Sequence, residues 1–316
     1  MITGHPFTTF PHPITPHRLV FTRTVARVIK NLGEEGRAKE ALGLFRQMRK
    51  LGCKPDVEAY NNETIPAKRD HYLQTVSGFI GGQTVTFHVI NKCPFPVWPA
   101  TAANVGHPVL ADGGFSLLSG QGRRVQAPPT WNGRFWARTG CDFTSTSKPA
   151  CQTGDCNGIL ACNGTIGFPP ATLVQVTLQP DKSKPSFYDV SVVDGYNIPV
   201  SVSTMPADLK CYIGGCSKNP NGLCPPELQV LNKNGSVIAC KSACLAFDLD
   251  VFCCRNAYGS PGTCKPTMYS KVFKEACPSY FSYAYDSPPP LVNCYSRDYV
   301  ITFCPSKWGG PQHLPI

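Results

Sequence analysis

Sixteen of the 17 cysteines fall between Cys93 and Cys304, in a stretch rich in Gly, Pro, Thr and Asn. Thiols in that number and setting either pair or hold a metal. Structural zinc sites draw ligands from paired Cys-x2-Cys knuckles, and this spacing is missing here. An even set of cysteines in a loop-rich sequence points instead to a disulfide framework, which persists only in an oxidising compartment. Spacing alone does not choose among the about two million possible pairings of sixteen cysteines. Cys53 is left without a partner. His88, His107 and His313 lack metal-ligand spacing, and no local motif supports Ser-His-Asp or Cys-His catalysis.

The composition supports a β-rich body. Hydrophobic residues make up 42% of the 316 residues, enough for real cores, while charged residues make up 16%, below the usual level of about 25%. With 31 Pro and 28 Gly, the chain reads as loop-rich and mainly β. The net charge of +10 is not gathered into a tight Lys/Arg run, so a nucleic-acid groove is not expected. No stretch approaches the roughly 18 apolar residues of a membrane span. The start, Met1-Ile2-Thr3-Gly4-His5-Pro6, lacks the basic start and apolar run of a secretory signal, which conflicts with the oxidising environment that the cysteines demand.

The elements that must position any site fall into two unlike parts. Residues 1–21, broken by Pro6, Pro11, Pro13 and Pro16, are expected to be disordered. Over 22–56, Val25, Val28, Ile29 and Leu32, then Ala38, Ala41, Leu42, Phe45 and Met48, recur at helical spacing, with Gly52 and Pro55 as stops. The run GRAKEALGLFRQMRKLGCKPD resembles a pentatricopeptide repeat, and Val57–Asn61 resembles the start of a second one. Such repeats bind RNA only as stacked arrays, so the 22–61 hairpin is expected to be non-functional. Residues 62–82 form a linker. Beyond it, Thr84–Asn91, Phe115–Leu118, Arg134–Arg138, Leu173–Leu178, Tyr188–Val193, Val200–Val202 and Tyr299–Phe303 read as short strands of a β-sandwich or flattened barrel. The strand signal fades between Cys211 and Cys277, where cysteines crowd, and Ala239–Cys254 has room for a short helix.

Several separate segments carry a family resemblance. They are Gln152-Thr153-Gly154-Asp155-Cys156, Pro169–Leu173, Phe187–Asn197, Cys253-Cys254-Arg255, Tyr283-Ala284-Tyr285-Asp286 and Thr302-Phe303-Cys304-Pro305. Together with sixteen cysteines in order, residues 83–308 resemble the thaumatin-like proteins, the plant defence family also called pathogenesis-related group five. Ser147-Lys148-Pro149-Ala150 departs from the family's glycine-rich lead into Cys151. The resemblance implies a β-sandwich with a cysteine-rich lobe at about 211–277, and 309–316 is left as a tail. It also implies the pairs Cys93–Cys304, Cys141–Cys151, Cys156–Cys162, Cys211–Cys294, Cys216–Cys277, Cys224–Cys240, Cys244–Cys253 and Cys254–Cys264. No cofactor or metal is implied.

The same resemblance implies a cleft lined by one Arg, one Glu and three Asp. Carried onto this sequence, these fall on Arg134, Gln175, Asp189, Asp194 and Asp286, with an amide where the family has its Glu. A glycosidase works with two carboxyl groups, one of them a proton donor, and an amide does not replace that donor. Taken singly, Asp189 reads equally well as a structural strand aspartate, Asp194-Gly195 as a turn pair, and Arg134 as an ion-pair partner. The expectation is a secreted, monomeric, antifungal protein of the apoplast or vacuole. It binds cell-wall polysaccharide, β-1,3-glucan, or perturbs fungal membranes, without efficient catalysis. Weak endo-β-1,3-glucanase activity is the alternative, and RNA binding through residues 22–61 is a third class. Of the glycosylation tripeptides at Asn62, Asn163 and Asn234, the one in the Asn234-Gly235 turn is the favoured acceptor. The first 75 residues read as foreign to the rest, as a fusion at the gene level would produce.

Overall fold

The computed structural model describes residues 84–144 and 149–305. The expected disordered start, helical hairpin, linker and tail lie outside the described residues, as do Cys53, Asn62 and His313.

Two sheets carry the sandwich. The first has the order β3 (Gly122–Ala127), β1 (Val85–Asn91), β11 (Asp298–Phe303) and β7 (Val200–Thr204). Within it β1 and β11 run parallel and the other pairs antiparallel. The second is antiparallel throughout, with the order β10 (Val292–Cys294), β6 (Ser186–Ser191), β5 (Leu173–Thr177), β4 (Asn132–Arg138) and β2 (Trp98–Ala103). Strand alternation sends Phe87 and Val89 of β1, Tyr299 and Ile301 of β11, Phe135 of β4, Val174 and Val176 of β5 and Tyr188 and Val190 of β6 into one core. Phe87 packs against Trp131, Phe135 and Tyr299 at ring-centroid distances of 5.7, 4.9 and 5.6 Å. Each such fully buried apolar side chain contributes about 1.5–3 kcal/mol relative to exposure.

Of the five strands that escaped the sequence reading, two did so for the same reason. Pro99 sits inside β2 and two arginines crowd β3, features that weaken a strand assignment. Both strands lie on sheet edges, where Pro is tolerated and charge discourages further pairing. The expected strand at Phe115–Leu118 is a correction: this segment makes only the isolated bridges Val97↔Leu117 and Ala100↔Gly114 beside it. Its alternating residues are buried by a loop path rather than by a ladder.

The cysteine-rich lobe holds the hairpin β8 (Gln229–Leu231) and β9 (Val237–Cys240) and three helices, α1 (Ala243–Phe247), α2 (Asp250–Cys253) and α3 (Met268–Ala276). Thr267 and Ser270 form a reciprocal capping box at the start of α3, which buries Phe273 and Ala276. Eight disulfides staple the domain: Cys93–Cys304, Cys141–Cys151, Cys156–Cys162, Cys211–Cys294, Cys216–Cys277, Cys224–Cys240, Cys244–Cys253 and Cys254–Cys264. The first closes a sequence separation of 211 residues and joins the ends of the parallel neighbours β1 and β11.

One further device shapes the outer face of the five-stranded sheet. Arg138 at the end of β4 is fully buried. It donates to the carbonyls of Trp98 at 3.0 Å, Ile159 at 2.8 Å and Leu160 at 2.9 Å. Asp155 accepts from the backbone of Cys151 and Gly158. The loop so held places Cys156 and Cys162 in a second small core with Ala100, Ala102, Trp136, Ala171 and Leu173. This cluster covers the outer face at the Trp136 end of β4 and leaves it open at the Arg134 end.

Candidate functional site

The open end of that face begins where the second core stops. Arg134 on β4 is the register partner of Gln175 on β5, which is in turn the partner of Asp189 on β6. Directly opposed residues share a face, so these three side chains form one cross-strand row while Phe135, Val174, Val176, Tyr188 and Val190 point inward. The row two residues further along contains Asn132, Thr177 and Phe187, again direct partners. Together with Asn104 and Leu291 the two rows line a depression of about 220 Å3.

The polar contacts within it are specific. Gln175 Nε2 donates to Asp189 Oδ1 at 3.1 Å. Arg134 Nη2 donates to Asn104 Oδ1 at 3.4 Å, and Asn104 Nδ2 donates to Asn132 Oδ1 at 2.7 Å. Asp189 is buried, and loss of water pushes its carboxyl up from 3.8 to about 6, an effect that the Gln175 hydrogen bond partly opposes. Burial also raises Asp194, with the Arg134 charge pulling the other way. Asp194 as a residue is exposed, so this desolvation is that of a concave surface rather than a core.

Asp194 follows β6 in a turn with Gly195 at φ +88°. A Cβ at Gly195 would meet Pro170 Cβ at 2.5 Å and the Cys240 carbonyl oxygen at 2.7 Å, so glycine alone fits, and the turn holds Asp194 within reach of Arg134's charge. Asp286 is placed differently. Its buried carboxylate accepts from Lys274 Nζ at 3.0 Å, the Ser282 amide at 2.9 Å and Ser282 Oγ at 3.0 Å. Asp194 and Asp286 are not among the residues lining the depression. A separate hollow in the cysteine-rich lobe, beside Phe252 and Phe273, measures about 20 Å3, room for about one water. Among the described residues, no three His, Cys, Asp or Glu side chains gather as a metal site, and no helix is long and apolar enough to cross a membrane.

Sequence reasoning missed Asn104, Asn132, Thr177 and Phe187. The signal for three of them was present, because Asn132, Thr177 and Phe187 stand two residues from Arg134, Gln175 and Asp189 and therefore share their faces. Asn104 needed the pairing of strands.

The Thaumatin family model matches residues 91–305. The chain belongs to the thaumatin family. A thaumatin-like protein of Arabidopsis thaliana is 48% identical over 223 residues, covering 70% of this chain and 90% of that protein. Pathogenesis-related protein 5 of Arabidopsis thaliana is 46% identical over 234 residues, covering 74% and 96% respectively. A protein of Prunus avium named glucan endo-1,3-beta-glucosidase is 42% identical over 233 residues, covering 73% and 95%. The thaumatin-like domain thus sits among the pathogenesis-related proteins of plant defence, and the match coincides with the sandwich and its cysteine-rich lobe.

Proposed function

We propose that this chain is a secreted defence protein that binds neutral cell-wall polysaccharide, β-1,3-glucan, in the depression around Arg134, Gln175 and Asp189, without efficient hydrolysis. Gln175 carries this reading. Its amide stands beside Asp189 at the position to which the resemblance assigns the family's acid, and it donates a hydrogen bond to that carboxylate. Retaining glycosidases hold two carboxyl groups about 5–5.5 Å apart and inverting ones about 6.5–9.5 Å apart. The lining suits sugar hydroxyls: Asp189 accepts, Arg134 donates, and Gln175 and the asparagines do both. Asp194 contributes its charge beside Arg134, while Asp286 is held by Lys274 and Ser282. The eight disulfides favour an oxidising extracellular or vacuolar location.

The test uses the full chain, produced oxidised and mixed with insoluble β-1,3-glucan. The protein should sediment with the glucan, be released by soluble laminarin, and free no reducing sugar. Arg134→Ala should weaken binding about tenfold, as loss of one charged hydrogen-bonding group does. Protein that stays in the supernatant and leaves fungal growth untouched would sink the proposal.

One observation favours a weak endo-β-1,3-glucanase as the second reading. A carboxyl near 6 suits a general acid working close to neutral pH. Under that reading laminarin releases reducing sugar, and Asp189→Asn abolishes the release.

A further inference from the structure

The depression has two rows of different character, and the resemblance that pointed to the first is silent on the second. Arg134, Gln175 and Asp189 are charged or amide groups that already bond one another or Asn104. Asn132, Thr177 and Phe187 carry no charge and stand two residues further along their strands, a step of about 6.6 Å. All three are half-buried. Asn132 uses its carbonyl oxygen to accept from Asn104, while its Nδ2 and the Thr177 hydroxyl make no hydrogen bond to another described residue. A neutral donor, a free hydroxyl and an aromatic ring thus converge on one concave surface, with Leu291 at its edge.

Resting on the glucan reading above, we infer that this neutral row is a second sugar subsite, which holds the residue next to the one at Gln175 and Asp189 in the same polysaccharide chain. A pyranose offers a C–H face to an aromatic ring and hydroxyls at its edge, and the row offers the complement of both: Phe187 for the face, Thr177 and Asn132 for the edge. At about 220 Å3 the depression is smaller than the roughly 300–1,000 Å3 of pockets that enclose a small molecule, so sugar units held there would lie partly in solvent across an open face. The ligand is neutral, because a uronate-bearing chain would bring carboxylates up to Asp189 and Asp194.

The subsite makes affinity depend on chain length. Calorimetric titration of the full chain with glucose and the hexasaccharide of β-1,3-glucan should show tighter binding of the hexasaccharide, and polygalacturonate should bind neither row. Phe187→Ala and Thr177→Val should each lose about tenfold on the hexasaccharide and little on glucose, about 1.4 kcal/mol on the longer ligand only. Arg134→Ala should weaken both ligands together, and Phe187→Tyr should keep the length dependence. Thr177→Val preserves shape, so it decides the matter if Phe187→Ala does not fold. Variants that bind both ligands as the wild type does would overturn the second subsite while leaving the glucan reading intact. A wild type that binds neither ligand would remove the glucan reading itself, and the subsite with it.

Discussion

The side-chain amide of Gln175 donates to Asp189 Oδ1 across the β5–β6 pair at 3.1 Å. A carboxyl in place of that amide would sit in direct contact with Asp189, closer than the separation of either glycosidase class. A pair so close lacks the spacing with which glycosidase carboxyls straddle a glycosidic bond.

Gln175→Glu tests what that contact permits. Two carboxyls so close share a proton, because both do not ionise readily together. The variant should be less stable than the wild type at pH 7 and more stable at pH 4, read by denaturant titration. Any laminarin hydrolysis it gains should depend on Asp194, the remaining carboxylate coupled to Arg134, and disappear in Gln175→Glu/Asp194→Asn. Wild-type hydrolysis as fast as that of the variant would contradict the role given to the amide.

Asp189 should shape the pH dependence of stability. Its folded carboxyl is raised by burial to about 6, above an unfolded value of about 3.9. The native state therefore holds the proton more tightly. This contribution favours folding below about pH 4 and is lost as the pH rises to about 6. Asp194 shifts in the same direction and adds the same sign. Asp189→Asn keeps an acceptor for Gln175 and removes the buried charge. It should raise stability at pH 7 by on the order of 2 kcal/mol and flatten the pH 4–6 slope. An unchanged slope would place the desolvation elsewhere.

The disulfides should rank by the loops they close. Loop-closure entropy assigns about 5 kcal/mol to Cys93–Cys304, with its separation of 211 residues, and about 2 kcal/mol to Cys156–Cys162, with a separation of 6. Paired Cys→Ser variants compared by thermal unfolding should follow that order. A reversed order would show that the second core, which contains Cys156 and Cys162, depends on its bridge for more than loop closure.

Asp286 should act on stability rather than on ligand. Lys274→Met leaves its buried carboxylate with Ser282 alone and should cost about 1–3 kcal/mol. Glucan affinity should be unchanged within twofold. A large loss of affinity without loss of stability would return Asp286 to the binding surface.

The legible part of this protein is the part written in local pattern. Period-two alternation marked the strand at Thr84–Asn91, a strand-like run marked Leu173–Leu178, and the short helical stretch near Ala243 stood out against its surroundings. The helix Met268–Ala276 escaped the reading although Met268, Val272, Phe273 and Ala276 recur at helical spacing behind the Thr267 cap. The edge strands β2 and β3 were hidden by residues that edges alone tolerate. In the candidate site, the sequence put Arg134, Gln175 and Asp189 on strand-like runs, yet did not tell what lies beside them.

By itself the sequence determined the chemical class of the molecule: an even set of sixteen cysteines that demands an oxidising space, a run of short strands, and an amide at position 175. Tertiary structure alone decided that Arg134, Gln175 and Asp189 share a row, that Asn132, Thr177 and Phe187 form the next one, and that Asp286 turns to Lys274. The reason is physical. Alternation is a property of one strand, whereas register and pairing are contacts between residues far apart in the chain, set by the packing of the whole core.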